Sequence, residues 1–286
     1  MTRSFNKKQF KLREHLERLY ASAKFIELDI PISIIEMEKA VYKTIEMNEP
    51  MFDDNDEHRI MIDITRGTLG IYRDIIGVKP GVNIIIADFP LKWTVSSMGH
   101  LFDKGINAVI TSQRAIPARY LDPKIKNRSR LHYLMANIEA SKIKGEDNWA
   151  LLLDDEGYIA EGTGDNFFIV KDNVVITPFG RNALRGISRD YIFEICKELN
   201  IKHTEKNIDK YDVLTADEAF MTGTPFCLLP VTRLNNQPIG EGIIGNYYRF
   251  LLTKWGNNVG LDIKKQIQEY SKSNTTEGIT PYNFKK

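Results

Sequence analysis

The segment running from Ala160 to Arg189, AEGTGDNFFIVKDNVVITPFGRNALRGISR, constrains the fold more than any other part of the chain. A short strand ends on the carboxylate of Glu161, and Gly162, Thr163 and Gly164 follow in a run that suits a tight turn. Residues 166–170 and 174–177 are, Asn166 apart, β-branched or aromatic, and the Lys171-Asp172-Asn173 between them is turn chemistry, so the pair reads as a β-hairpin. Gly186-Ile187-Ser188 then opens a helix, whose N-terminal N–H groups favour an anion. An acid placed by a tight turn and an anion-binding helix terminus would together suit a flat, phosphorylated, nitrogen-containing cofactor.

The bulk properties set wider bounds. At 286 residues the chain can form two domains or one large one. A hydrophobic content of 42% beside 27% charged residues is that of a soluble globular protein. The net charge of +1 argues against a nucleic-acid or membrane-surface partner. Cys196 and Cys227 cannot make a disulfide framework and sit in apolar contexts, which points to the cytoplasm. No apolar run reaches membrane-spanning length, and the N-terminal MTRSFNKKQF lacks the apolar stretch of a signal peptide.

Periodicity organises the rest. Leu12, Leu16, Leu19 and Ala23 fall at helical spacing, and a second helix is expected over residues 32–47, entered through Pro31. Residues 59–66 (RIMIDITR) alternate like a strand, and 82–88 (VNIIIAD) form an apolar run expected to be a strand buried on both faces. Residues 105–112 read as a further strand. The basic, proline-bearing stretch 114–130 is a candidate interdomain connection, which places a small α/β domain at 1–113, a linker at 114–121 and a larger domain at 122–270. A helix is expected over 131–145, strands at 149–153, 158–160, 219–221 and 228–233, and helices over 189–199 and 244–259. The polar tail 271–286 is expected to be mobile.

Taken singly, the polar residues in these segments have ordinary explanations. Arg18 could be a solvated helix arginine, Glu161 a turn carboxylate and Ser188 a plain N-cap. Thr222-Gly223-Thr224 could be a β-turn, and the basic run 124–130 a solvated linker.

Together, however, FKLREHLERLYASAK, KNRSRLHYLMANIEA, LLLDDEGYIAEGTGDNFFIVKDNVVITP, LRGISRD and ADEAFMTGTPFCLLPV occur in an order and spacing that resemble the class IV (fold type IV) pyridoxal-phosphate aminotransferases. That family includes branched-chain aminotransferases, D-amino acid aminotransferases and aminodeoxychorismate lyases. The resemblance covers nearly the whole chain. It implies a two-domain mixed α/β fold whose larger domain has a β-barrel-like core, pyridoxal 5′-phosphate as cofactor, and no metal. It places Lys126, with Lys124 as rival, where the family's Schiff-base lysine sits, an amine that also moves the substrate's α-proton. It places Glu161 against the pyridine nitrogen, and Arg18, the amides of Ile187 and Ser188, Gly223 and Thr224 around the phosphate. Arg59, Arg114 and Arg130 lie in segments that approach the cofactor or substrate, and an arginine fork suits an α-carboxylate.

Three departures from the family pattern qualify this. The family's N-terminal hairpin and YGDG-type loop have no counterpart ahead of FNKKQFKLREHL. Pro225 follows Thr224 where branched-chain enzymes place a backbone N–H on the substrate carboxylate, a donor proline lacks. Ile71 and Arg73 stand where D-amino acid aminotransferases carry an arginine and a histidine after TRGT, which counts against D-amino acid specificity. The resemblance therefore implies a homodimeric transaminase acting on an L-amino acid and a 2-oxo acid. Its rivals are an aminodeoxychorismate lyase releasing pyruvate and a catalytically idle cofactor-binding protein.

Overall fold

The computed structural model describes residues 1–272 except Arg73, Ile76 and 78–80, and the chain divides into two compact units, Met1–Leu91 and one beginning at Lys92. In the first unit, strands β1 (Thr2–Phe5) and β2 (Lys8–Gln9) form a hairpin, followed by helices α1 (Leu12–Phe25) and α2 (Ile34–Asn48) and strands β3 (His58–Thr65) and β4 (Asn83–Pro90). The sheet order is β2-β1-β3-β4, antiparallel throughout. Leu12 and Leu16 of α1 meet Met37, Val41 and Ile45 of α2 over Ile60, with Ile62, Ile64, Ile84 and Ile86 packed against them. These isoleucines alternate along β3 and β4, so one face of each strand reaches the helices.

The second unit holds α3 (Lys92–Val95), α4 (Leu101–Lys104), β5 (Ile106–Arg114), α5 (Leu131–Ser141), β6 (Asn148–Leu153), β7 (Ile159–Gly162), β8 (Asn166–Lys171) and β9 (Val174–Thr177). After these come α6 (Ile187–Glu198), β10 (Lys202–Glu205), α7 (Lys210–Leu214), β11 (Glu218–Gly223), β12 (Cys227–Leu234), β13 (Gln237–Pro238), α8 (Asn246–Val259) and α9 (Ile263–Lys272). One sheet runs β10-β9-β8-β11-β12-β5-β6-β7, with β13 paired to β12. β7 ends that path, yet the chain passes from it to β8 through Thr163, Gly164 and Asp165 alone. In a flat sheet those strands would lie about 24 Å apart, and a link of this length reaches at most about 14 Å. The sheet is therefore curled into a half-barrel that brings β7 beside β8. The mixed α/β fold expected of a fold type IV enzyme is thus present.

Helix α5 turns Ala136 and Ala140 toward Val109 of β5 and Ala150 of β6, and these small alanine side chains let helix and sheet approach closely. Glu139 fixes it there, accepting from the backbone N–H of Ser112 at 2.7 Å and from its hydroxyl at 2.6 Å. Two expected turns carry the positive φ angles of tight hairpins, Asp172-Asn173 (50° and 62°) and Asn235-Asn236 (50° and 65°).

Several expectations are corrected. β4 is an edge strand with Ile85 51% exposed, not a strand buried on both faces, because helices cover only its Ile84 and Ile86 side. α2 is started by Ser33, whose side chain accepts from the Glu36 N–H in a capping box, and Pro31 lies ahead of that cap. α5 stops at Ser141, α6 begins at Ile187, and Ser271 and Lys272 belong to α9 rather than to a tail. The rest of the expected tail, 273–286, and Arg73 lie outside the described residues, while Ile71 falls in a short 3₁₀ turn, 79% exposed. The packing divides the chain at Leu91 rather than near 113, since β5 pairs with β6 and β12 and is part of the larger sheet. The stretch 114–121 accordingly lies inside the second unit.

Candidate active site

Glu161 closes β7, paired to Leu152 of β6, and is 5% exposed. Both its oxygens are held. The Tyr133 hydroxyl donates to Oε1 at 2.6 Å, and the backbone N–H of Leu184 donates to Oε2 at 2.9 Å. Burial raises its proton affinity above that of an ordinary glutamate, against the opposing pull of these two donors and of the Lys126 and Arg130 charges. The acid is fixed in direction and lacks full compensation, so a cation placed against it would be bound strongly. A turn carboxylate in water would show none of this.

Lys126 and Lys124 share the loop before α5 but differ in partners. Lys124 Nζ pairs with Asp122 at 2.8 Å. The charge of Lys126 instead favours ionisation of both Glu161 and Asp165. Arg130 sits at the head of α5, where its guanidinium donates to the Thr163 carbonyl and lies 4.8 Å from the Tyr133 ring centre. Thr163 in turn donates to Asn137 at 3.0 Å, so the turn after Glu161 is tied to α5 at two points.

The N-terminus of α6 lies beside this group. Its N-cap is Gly186 and no side chain caps it, which corrects the plain N-cap reading of Ser188. A Cβ at 186 would come within 2.2 Å of Asn166 Oδ1, so glycine is required for the close approach. Asn166 also donates to the Leu184 carbonyl at 2.8 Å and stands opposite Thr222 of β11. The Thr222 hydroxyl is buried without a partner. Beyond it, Gly223 makes room for the Phe226 ring, which a Cβ would meet at 2.6 Å, and Thr224-Pro225-Phe226 turn the chain into β12. An uncapped helix terminus, an orphaned buried hydroxyl, a glycine cradle, a buried acid and a loop lysine form a donor set that fits pyridoxal phosphate.

The remaining arginines are placed as follows. Arg114, at the end of β5, folds back to donate to the carbonyls of Thr111 at 2.8 Å and Ser112 at 3.3 Å. Arg18 is on α1 and Arg59 on β3, both in the first unit. The Arg59 guanidinium lies 4.7 Å from the Phe89 ring centre and donates to Met61 Sδ at 3.4 Å.

With this geometry in place, comparison with known proteins is decisive. The family model for amino-transferase class IV matches residues 1–234. The chain belongs to the class IV aminotransferases. It is 34% identical over 242 residues to the branched-chain-amino-acid aminotransferase of Escherichia coli K12, covering 82% of this chain and 74% of that one. A Methanocaldococcus jannaschii protein provisionally named a branched-chain-amino-acid aminotransferase is 35% identical over 267 residues, 90% of this chain and 87% of its own. The crystal structure of the E. coli branched-chain enzyme superposes with a TM-score of 0.77 at 29% identity, covering 99% of this chain and 88% of that one. A T.th. branched-chain aminotransferase solved with pyridoxamine 5′-phosphate gives 0.74 at 27% identity, with 95% and 86% covered. This class IV aminotransferase is thus an enzyme of a pyridoxal-phosphate-dependent family.

Sequence reasoning passed over Tyr133, Asn137, Asp165, Asn166 and the Leu184 amide. A signal existed for two of them. Tyr133 and Asn137 stand four residues apart on the helix face that carries Ala136 and Ala140 into the core, and polar groups on a buried stripe need partners. The Leu184 N–H is a backbone group and leaves no trace in residue type.

Proposed function

We propose that this enzyme transfers the amino group between a branched-chain-type L-amino acid or L-glutamate and a 2-oxo acid, using pyridoxal 5′-phosphate held through Lys126. The observation that carries this is Glu161, buried with both oxygens anchored and within range of the Lys126 charge. Bound there, the cofactor supplies an electron-withdrawing ring that accepts the electron pair left when the substrate's α-proton departs. Glu161 holds the proton on the ring nitrogen, Tyr133 and Leu184 hold Glu161, and the Lys126 amine takes and returns the α-proton. The Ile187 and Ser188 amides, Gly223, Thr224 and Arg18 hold the phosphate. Arg130, Arg59 and Arg114 are the candidate partners of a substrate carboxylate, which each would meet by exchanging a present contact, and Pro225 adds no N–H there.

The relatives' names support amino transfer over elimination of pyruvate. The second unit is the cofactor-binding domain, and the working form is a cytoplasmic homodimer. Among the described residues no helix is long and apolar enough to cross a membrane.

The test is direct. The purified enzyme with pyridoxal phosphate is mixed with L-glutamate, and conversion of the cofactor's visible spectrum to its amine form is followed. Addition of a branched-chain 2-oxo acid should restore the original spectrum and yield the matching amino acid. No conversion by any L-amino acid would reject the proposal, as would release of pyruvate from aminodeoxychorismate alone. Sedimentation at micromolar concentration should give the mass of a dimer, and a fully active monomer would reject that part.

A further inference from the structure

Asp165 is a second buried carboxyl at this site, and the proposed reaction gives it no task. It is 6% exposed and folds back over the turn, so that its Oδ1 lies 2.0 Å from where a Cβ on residue 162 would stand. That space exists because residue 162 is glycine. Its own carbonyl accepts the Gly162 N–H at 3.0 Å, which fixes the turn and with it the side chain. Oδ1 is buried and has no hydrogen-bond partner. An ionised carboxylate oxygen in that position is strongly disfavoured, whereas a protonated carboxyl tolerates it far better.

We propose that Asp165 is a positioning residue that stays protonated at neutral pH, so that the Glu161–Asp165 pair carries one negative charge and keeps it on Glu161. Its consequence for the cofactor rests on the function proposed above, but its protonation does not. Burial first, and then the Glu161 carboxylate, push the Asp165 carboxyl up to about 8, while the Gly164 N–H, Arg130 and Lys126 pull the other way. The groups facing the pair are thus Arg130 and Tyr133 of the α5 region, Lys126 of the preceding loop and the turn amides. Two buried carboxylates that feel each other's charge do not both ionise freely. Were Asp165 charged, Glu161 would take up a proton more readily and lose its hold on the ring nitrogen.

The sign follows. The unfolded chain ionises this aspartate near pH ~4, so apo-protein stability falls as pH rises from there to about 8 and then levels. Difference infrared spectroscopy of the apo-protein should show a protonated-carboxyl C=O band at pH 7 that disappears as pH passes about 8. The band should be absent in Asp165→Asn, or in Asp165→Ser if the first variant folds poorly, and in Glu161→Gln it should disappear at a lower pH than in wild type. On the holoenzyme, the cofactor's absorption should change over the same pH range in wild type and stay constant in Asp165→Asn. Absence of the band in wild type at pH 7, its persistence in Asp165→Asn, or an unmoved transition in Glu161→Gln would overturn the proposal. If the band behaves as stated but pyridoxal phosphate does not bind, the functional proposal fails and this one stands.

Discussion

The phenol of Tyr133 donates a 2.6 Å hydrogen bond to Oε1 of Glu161, joining helix α5 to the last strand of the curled sheet. Burial and the neighbouring Glu161 push the Tyr133 hydroxyl well above the usual tyrosine range, so it remains a donor throughout the working pH range. Tyr133→Phe should leave cofactor bound and lower kcat by about tenfold or more, the worth of a hydrogen bond to a charged group. Unchanged kcat and an unchanged pH profile would show that the Leu184 amide alone orients Glu161.

Glu161→Gln should retain cofactor and lose about 10²–10³ or more in turnover, since removing a preorganised charge costs a few kcal/mol. Steady-state kinetics at saturating pyridoxal phosphate provide the check. Near-wild-type activity would refute the role assigned to this acid.

Borohydride reduction of the holoenzyme followed by peptide mapping should label Lys126. Lys124 is already paired with Asp122 at 2.8 Å and should stay unmodified. A label on Lys124 would shift the register of the loop by two.

Arg18→Ala should weaken pyridoxal phosphate binding, measured by fluorescence titration, far more than it lowers the melting temperature of the apo-protein. Equal loss of apo stability would identify Arg18 as an arginine that merely supports α1.

His58 is buried with Nδ1 2.8 Å from Asp88 and Nε2 on Glu49. Burial alone would lower its pKa, but the two carboxylates outweigh that and raise it. Its contribution to stability is therefore complete below its unfolded value near ~6.5 and lost as pH rises through the higher folded value. After correction for the base-catalysed intrinsic rate, the hydrogen-exchange protection of the β1 and β3 amides should fall over that range in wild type. His58→Gln should show no such pH dependence.

Much of this molecule was legible along the chain because its cause is local. Hydrophobic spacing marks α1 from Leu12 to Ala23. Asp172-Asn173 and Asn235-Asn236 mark their turns because those residues tolerate positive φ. Glu161, Lys126 and Gly186 stand out through ordered motifs. Other features depended on pairing between distant segments. The apolar run of β4 gave no sign that Ile85 would be left half exposed, since coverage depends on what packs there. β5 reads the same in either unit, and only its pairing with β6 and β12 assigns it. The short link from Gly162 to Asn166 names a turn in the sequence, but the curl it forces depends on the strand order β10-β9-β8-β11-β12-β5-β6-β7. That curl, with α5 seated on β5 and β6, brings Tyr133 to Glu161 and buries Asp165 beside it. Residue type and spacing determined which groups could do the chemistry. Burial and long-range contact, which act through space rather than along the chain, decided their charge and direction.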